Sequence, residues 1–214
     1  MASSKSKDEV VSEFRIQSIQ EAAMRVIARK GMSAATMADI ASEAGIAKGT
    51  IYLYFRDRDE LVEKTFETAI GELHKRVDAA LALDAPFDQK LRAVISAKVA
   101  FFRENAEFFR LYMSLRMPEG TPAQQRRQKR HCQPQYTTRI NAFGDFLKEG
   151  MARGEVRKFD PYRLALFLIE ASTAITLERL SEEAPPPEEQ DVDLIVSTIL
   201  DGIFIRKQKR SSQH

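Results

Sequence analysis

Residues 36–55 read TMADIASEAGIAKGTIYLYF, and this stretch decides the fold. Ala41 provides a small residue where a second helix must cross the first one. Gly45 follows four residues later, and glycine takes the positive φ of a tight turn without steric strain. Ile51, six residues further on, is a branched apolar residue that faces back into the corner. These residue types at this spacing predict a helix-turn-helix.

The second helix of this motif carries polar groups on its outward side. The ammonium group of Lys48 reaches a phosphate or a guanine, and Thr50 reaches a phosphate or a thymine methyl group. Tyr52 offers a hydroxyl to a phosphate, and Gly49 allows the backbone to come close to DNA. The helix N-terminus at Thr36 adds backbone donors for a phosphate. The pattern therefore predicts a DNA-reading surface.

The charge of the whole chain is too small to indicate nucleic-acid binding by itself. The 214 residues include 33 Lys and Arg against 31 Asp and Glu, which gives a net charge of +2. Four acidic residues lie close to the motif in the sequence, namely Asp39, Glu43, Asp57 and Asp59. Binding to phosphates therefore requires the basic groups of the motif to face one way.

Helical periodicity runs through nearly the whole chain, and the alternation typical of strands is missing from the sequence. Glycine and proline are sparse, at 9 and 8 residues, and fall mostly between the periodic segments. The sequence predicts an all-α protein, with helices at about 8–30, 36–44, 47–53, 57–83, 87–104, 106–116, 122–153, 160–180 and 191–206. The prolines at 185–187 predict a loop over 182–190.

Residues 36–61 resemble the TetR family of one-component regulators. The matching segments are 36–41 (TMADIA), 44–46 (AGI), 48–55 (KGTIYLYF) and 60–61 (EL). The resemblance implies that three N-terminal helices form a helix-turn-helix DNA-binding domain, residues 1–56. It also implies that about six further helices form a helical-bundle core for ligand binding and dimerisation, residues 57–214.

The resemblance also implies a function. It predicts a homodimer that binds a palindromic operator on double-stranded DNA and is released by a small molecule, and hence a ligand-responsive repressor. An activator, or a nucleoid-type DNA-binding protein without ligand control, remains the alternative. The positions that correspond to DNA contacts in the family are Thr36, Lys48, Gly49, Thr50, Tyr52 and Tyr54.

Aromatic residues crowd the segment 101–113, FFRENAEFFRLYM, and cover more than one helix face. Such a helix is buried among its neighbours or lines an apolar cavity, and plain core packing is the simpler interpretation for any single phenylalanine. As a group, the candidate walls of a site for a small apolar or amphipathic effector are Phe102, Phe109, Tyr112, Met113 and Phe143. The candidate polar anchors are Arg116, His131 and Tyr136.

Apolar stripes on the last two predicted helices are candidates for a dimer interface. The first stripe contains Leu164, Phe167, Leu168, Ala171 and Ile175. The second contains Leu194, Ile195, Thr198, Ile199 and Ile203. Packing within the chain is the alternative, but a helix-turn-helix reader needs two half-sites about 34–36 Å apart. A twofold axis through these helices would make the interface isologous.

Several other classes of protein are excluded by what the sequence lacks. The single cysteine, Cys132, excludes an internal disulfide and a thiolate zinc site, and the three histidines lie too far apart for a helical metal pair. No paired nucleophile and base and no glycine-rich phosphate loop are evident, so we expect neither an enzyme nor a bound cofactor. A polar N-terminus and the lack of a membrane-length apolar run predict a cytoplasmic protein that does not contact membranes. The basic runs 126–131 and 206–210 are interpreted as solvated helix faces.

Overall fold

The computed structural model describes residues 6–116 and 121–200, with the side chains of all of them except 123–135 and 200. Within these ranges the regular structure is entirely helical, which confirms the predicted all-α fold. The helices are α1 (Lys7–Lys30), α2 (Met37–Glu43), α3 (Lys48–Ile51), α4 (Arg58–Leu81), α5 (Phe87–Glu104), α6 (Ala106–Arg116), α7 (Pro122–Ala152), α8 (Pro161–Arg179) and α9 (Glu188–Leu200).

Contacts between residues divide the chain into two compact units. Unit 1 is drawn from Met1–Lys75 and Glu104–Thr138, and unit 2 from Arg76–Arg103 and Arg139–His214. Both α4 and α7 are continuous across this division, so each helix begins in unit 1 and ends in unit 2. The boundary predicted between residues 56 and 57 falls inside unit 1, and a domain division at that point stays a prediction.

Unit 1 is organised around α1, which packs against α2 and α6. The buried apolar face of α1 consists of Ile19, Ala22, Ala23, Val26 and Ile27. Aromatic rings from α4 and α6 complete the core, and the ring centroid of Phe66 lies 5.9 Å from that of Phe108 and 6.5 Å from that of Tyr112. Because buried aromatic pairs combine a large apolar area with a defined geometry, this core gives the helix-turn-helix a packed base.

Unit 2 has its own hydrophobic core, formed by the end of α4, by α5, by the end of α7 and by α8 and α9. Its buried members include Leu91, Ile95, Val99, Phe143, Leu147, Ala165, Leu168, Val192 and Ile195. A close approach joins α7 to α8 within this unit. A Cβ atom at Gly144 would lie 2.3 Å from the Tyr162 ring, so only glycine leaves room for the ring there. The Tyr162 hydroxyl then donates to the carboxylate of Asp145 at 2.9 Å.

Several helix boundaries differ from the prediction by one to three residues, and two of these differences have a local cause. The short second helix of the motif ends at Ile51 rather than at residue 53, because the amides of Leu53 and Tyr54 bond three residues back, each at 3.1 Å, in the tighter winding of a 3₁₀ turn. The last helix begins at Glu188, three residues before the predicted start. Acidic residues in its first turn favour this earlier start, since they interact well with the positive end of the helix dipole.

None of the helices in the described ranges is both long enough and apolar enough to cross a membrane.

Candidate DNA-binding site

The helix-turn-helix begins with a side-chain cap at Thr36. The Thr36 hydroxyl accepts a hydrogen bond from the Asp39 amide at 3.2 Å, and the Asp39 carboxylate accepts one from the Thr36 amide at 3.1 Å. This reciprocal pair is a capping box, and it fixes the first turn of α2. The Thr36 hydroxyl also donates to the Asp39 carboxylate. The amide and the hydroxyl of Thr36 therefore both donate within the motif.

The turn between α2 and α3 depends on the backbone conformation of Gly45. Its φ of +67° lies in the left-handed region, where a residue with a Cβ atom is strained. The Gly45 amide donates to the Ser42 carbonyl at 3.1 Å, and the Ile46 amide donates to the Ala41 carbonyl at 3.0 Å. These two bonds form a Schellman motif, which ends α2 and sends the chain towards α3. The predicted role of Gly45 is confirmed.

The inner corner of the motif is closed by apolar side chains. Ile40 and Ile51 are fully buried, and Ala41 and Phe55 are nearly so. The small side chain of Ala41 and the branched side chain of Ile51 therefore occupy the positions that the spacing predicted. Because Ile51 and Phe55 both point inward, the opposite side of the α3 turn is directed outward.

The outward side of α3 is open to solvent. Lys48 and Gly49 are exposed, and Tyr52 keeps 47% of its surface accessible. Thr50 and Tyr54 are half-buried at the flanks. Within the part of the chain that the structure describes, Lys48 takes part in no ion pair. An exposed ammonium group without a carboxylate partner is suited to a phosphate or to the acceptors of a guanine.

The acidic residues of α2 are paired with cations of α1. The Glu43 carboxylate lies 2.8 Å from the Arg25 guanidinium and 2.5 Å from that of Arg29. The Asp39 carboxylate lies 2.7 Å from the Lys30 ammonium. These contacts tie α2 to α1, and they neutralise two of the four acidic charges that lie close to the motif in the sequence.

The same pairs lower the pKa of both carboxyl groups. Hydrogen bonds from Arg29 and Arg25 lower the pKa of Glu43 to about 2. A hydrogen bond from Lys30, followed by those from Thr36, lowers the pKa of Asp39 to about 2. Both groups stay ionised at neutral pH, and their negative charge is compensated locally. The α2 carboxylates therefore do not oppose the approach of a phosphate backbone as isolated charges would.

Some of the candidate effector residues come together in unit 1. The Arg116 guanidinium donates to the Tyr112 hydroxyl at 3.3 Å and to the Tyr136 hydroxyl at 3.4 Å. It also lies 5.5 Å from the ring centroid of Tyr112 and 4.6 Å from that of Tyr136. The Phe109 ring lies 6.3 Å from that of Tyr112, and Met113 is half-buried on the same helix. These residues form a cluster with a cationic end and an aromatic end, called here the Arg116 cluster.

The other candidate effector residues do not belong to the Arg116 cluster. Phe102 and Phe143 are buried in unit 2. The side chain of His131 lies outside the described residues. A role in effector binding stays a prediction for all of these residues.

Comparison with known proteins identifies the family. Residues 19–65 match the sequence profile described as "Bacterial regulatory proteins, tetR family". The HTH-type transcriptional regulator YhgD of Bacillus subtilis is 24% identical over 86% of this chain and 94% of its own. A Clostridium perfringens protein described as a fatty acid metabolism regulator superposes with a TM-score of 0.77 and 28% identity, over 88% of this chain and 100% of that one.

Over residues 19–65 the chain belongs to the TetR family. A further structure with this fold is that of the Bacillus subtilis transcriptional regulator FadR, solved in complex with stearoyl-CoA. It superposes with a TM-score of 0.69 and 21% identity, over 88% of this chain and 99% of its own, and this likeness shows a common fold. Residues 19–65 include α2, α3 and the start of α4, so the match of the TetR profile covers the whole helix-turn-helix.

Two side chains in or next to the helix-turn-helix have surroundings that the sequence pattern did not reveal. Arg58 donates to the backbone carbonyls of Met32 and Ala35, at 2.8 and 3.2 Å, and so holds the loop between α1 and α2. Leu53 lies on the outward side of the α3 turn, with 80% of its surface exposed. The sequence did contain a signal for this exposure. Leu53 follows Gly49 by four residues, and residues at this spacing share one side of a helix.

Proposed function

We propose that this TetR-family DNA-binding regulator is a repressor that binds a palindromic operator as a homodimer and is released by an amphipathic effector. The observation that carries the proposal is the outward side of α3. There Lys48 and Tyr52 are exposed, and the α2 carboxylates of the same motif are already paired with cations of α1. A regulator of this kind acts by binding, which accords with relatives that are transcriptional regulators rather than enzymes.

The six residues proposed to contact DNA differ in their exposure and in the chemical group that each presents. Lys48 and Tyr52 are exposed and provide a cation and a phenolic hydroxyl. Thr50 and Tyr54, at the flanks, offer hydroxyl groups to the phosphates, and Gly49 allows close approach of the backbone. Thr36 must exchange its hydrogen bonds to Asp39 before it donates to a phosphate, so its substitution would have the smallest effect among the six on DNA affinity.

The proposed dimer interface lies on the exposed side of α8. Ala165, Leu168 and Ser172 point into the core of unit 2, and yet the opposite side of the same helix is also apolar. Its exposed large hydrophobic residues are Leu166, Phe167 and Leu177, and α9 adds Leu194. A helix that is apolar all round is normally buried all round. We therefore assign this face to a second copy of the chain, which supplies the second recognition helix that a palindrome requires.

The proposed effector is a fatty acyl thioester or a molecule of similar amphipathic character. Two structural relatives support this class by their descriptions, one a fatty acid metabolism regulator and the other a complex with stearoyl-CoA. The Arg116 cluster supports it chemically, since its guanidinium suits an anionic group and its aromatic rings suit an apolar chain. The Phe66 ring of α4 lies 6.5 Å from the Tyr112 ring of the Arg116 cluster, so an effector bound there would shift the start of α4, which follows the helix-turn-helix within unit 1.

Replacing Lys48 by alanine tests the DNA-binding surface. We expect Lys48→Ala, and likewise Tyr52→Ala, to weaken operator binding by roughly 1–3 kcal/mol each, because each removes one contact to DNA. The measurement is a gel retardation series on the upstream region of the protein's own gene, at several salt concentrations. Lys48→Ala should also reduce the steepness of the salt dependence, since one fewer phosphate is neutralised.

The matched control is Lys148→Ala, which removes an exposed lysine from α7 in unit 2. It should leave both the affinity and its salt dependence unchanged. Wild-type affinity in both Lys48→Ala and Tyr52→Ala would show that α3 does not contact DNA in the way proposed.

Release by an effector is the second test of the proposal. Stearoyl-CoA should dissociate the protein from its operator, whereas CoA alone should not, because only the thioester carries the apolar chain. Arg116→Ala should bind DNA normally but require about ten-fold or more stearoyl-CoA for release, which corresponds to a loss of about 1.4 kcal/mol. If the same concentration of stearoyl-CoA releases the wild type and Arg116→Ala from the operator, Arg116 does not contact the effector. Failure of stearoyl-CoA to release the wild-type protein would exclude this effector class.

A further inference from the structure

The outward side of the α3 turn is centred on an apolar residue. Successive residues of a helix are rotated by about 100°, so Gly49 and Leu53 lie on the side opposite to the buried Ile51 and Phe55. The winding continues to this point, because the Leu53 amide bonds to the Thr50 carbonyl at 3.1 Å. Leu53 is therefore the outermost side chain at the end of the recognition helix.

Leu53 is the most exposed large hydrophobic side chain in the described ranges, at 80%. Exposed single leucines are common on proteins, but this one stands among groups suited to DNA. Lys48 and Tyr52 flank it on one side, and Thr50 lies on the other. A side chain at this position would enter the major groove together with its neighbours and lose its contact with water there.

The major groove offers one apolar group at its base edges. This group is the C5-methyl of thymine, and apolar side chains recognise it by direct contact. The space beside Leu53 is open as well, because a Cβ atom at Gly49 would meet nothing within 4 Å. The edge of a base could therefore approach the outward side of the helix at Gly49 without meeting other atoms of the protein.

We propose that Leu53 contacts a thymine methyl group in each half-site and so specifies a T·A pair at that position. This inference rests on the proposed function, since it assumes that α3 enters the major groove of an operator. It adds a sequence-reading contact to a surface whose other members are suited mainly to phosphates. Packing of Leu53 against a deoxyribose is the competing arrangement, and it would carry no sequence information.

The experiment removes the methyl group from the DNA and the side chain from the protein. Thymines of the footprinted operator are replaced one at a time by deoxyuridine, and affinities are measured for the wild type and for Leu53→Ala. For the wild type, we expect one position per half-site at which the loss of the methyl weakens binding about 4-fold, or about 15-fold when both half-sites are changed. Leu53→Ala should bind the normal operator more weakly and should not distinguish thymine from uracil at that position.

The control is Leu83→Ala, an exposed leucine outside the helix-turn-helix, which should retain the sensitivity of the wild type to uracil. Unchanged sensitivity to uracil in Leu53→Ala would overturn the assignment. So would a wild-type protein that tolerates deoxyuridine at every thymine, even if Leu53→Ala binds all operators more weakly, because that result indicates packing against the sugar. A wild-type protein that retards no upstream fragment would overturn the proposed function as well.

Discussion

Phe167→Asp is expected to produce a folded monomer that binds the operator at least about 100-fold more weakly than the wild type. Phe167 lies on the exposed side of α8, with 57% of its surface accessible. In an isologous interface the substitution acts twice, because each copy loses an aromatic anchor and gains a charge that must be desolvated. A monomer contacts only one half-site at a time, so operator affinity falls together with dimerisation.

The change is measured by sedimentation velocity and by operator titration at the same protein concentrations. Circular dichroism establishes that the variant is folded, which we expect because Phe167 is not part of the buried core of unit 2. Leu83→Asp is the control, since it places the same charge at an exposed leucine that belongs to neither α8 nor α9. If Phe167→Asp remains dimeric and binds the operator with wild-type affinity, the dimer interface lies on another surface.

The helix-turn-helix was predictable from the sequence because its determinants are local. The cap at Thr36, the positive φ of Gly45 and the buried Ile51 each depend on neighbours within a few residues. Local signals of this kind leave few alternatives, since hardly any residue other than glycine takes that φ cheaply. The ends of α5 and α6 agree with the prediction for a similar reason, because the helices are separated by a single residue, Asn105, between two strongly periodic segments.

The dimer stripes were only partly predictable. The predicted stripe on α8 combined Leu168, which is buried in unit 2, with Phe167, which is exposed. On α9 it likewise combined the buried Ile195 with Leu194, which is 56% exposed. Both helices carry apolar residues on more than one side, so periodicity alone does not tell which side meets the rest of its own chain. That distinction depends on tertiary packing. The predicted Ile203 lies outside the described residues.

The candidate effector residues show the same limit. The density of aromatic residues at 101–113 predicted burial, and Phe102, Phe109 and Tyr112 are indeed buried. The sequence did not reveal that the chain changes from unit 2 to unit 1 within this segment, between Arg103 and Glu104. Neighbours in the sequence therefore belong to different cores. Leu53 was missed for a related reason, because a leucine in a helix that packs against a core is usually assumed to be buried.

Lys98→Ala is expected to lower the free energy of unfolding by about 2–4 kcal/mol, although lysine is usually a surface residue. Lys98 lies on α5 and is buried in unit 2. Its ammonium group donates to the Ile169 carbonyl at 2.8 Å and to the hydroxyls of Ser172 and Thr173, each at 2.7 Å. Both hydroxyls donate in turn to the Ile169 carbonyl, so their protons are already engaged and only an added donor can satisfy their remaining acceptor sites.

Lys98→Met separates the hydrogen bonds from the packing of the side-chain stem. Methionine fills most of the volume and also removes a buried charge, so we expect a loss of about 1–2 kcal/mol, smaller than that of alanine. Stability is measured by urea unfolding at one fixed protein concentration, because dimerisation contributes to the apparent value. Lys148→Ala, an exposed lysine of α7, should stay within about 0.5 kcal/mol of the wild type. Equal stability of Lys98→Ala and Lys148→Ala would contradict the prediction.

The two substitutions in unit 2 should affect operator binding in different ways, because they act on opposite sides of α8. Phe167→Asp changes the face proposed to meet the second copy, while Lys98 holds the side that faces the core. Weak operator binding by Lys98→Met should therefore recover on modest cooling at a fixed protein concentration, since a larger fraction of the chain is then folded. Phe167→Asp should instead recover in part when the protein concentration is raised, because its defect lies in association, which obeys mass action. Recovery of Phe167→Asp on cooling alone, with no dependence on protein concentration, would indicate that Phe167 contributes to folding and not to dimerisation.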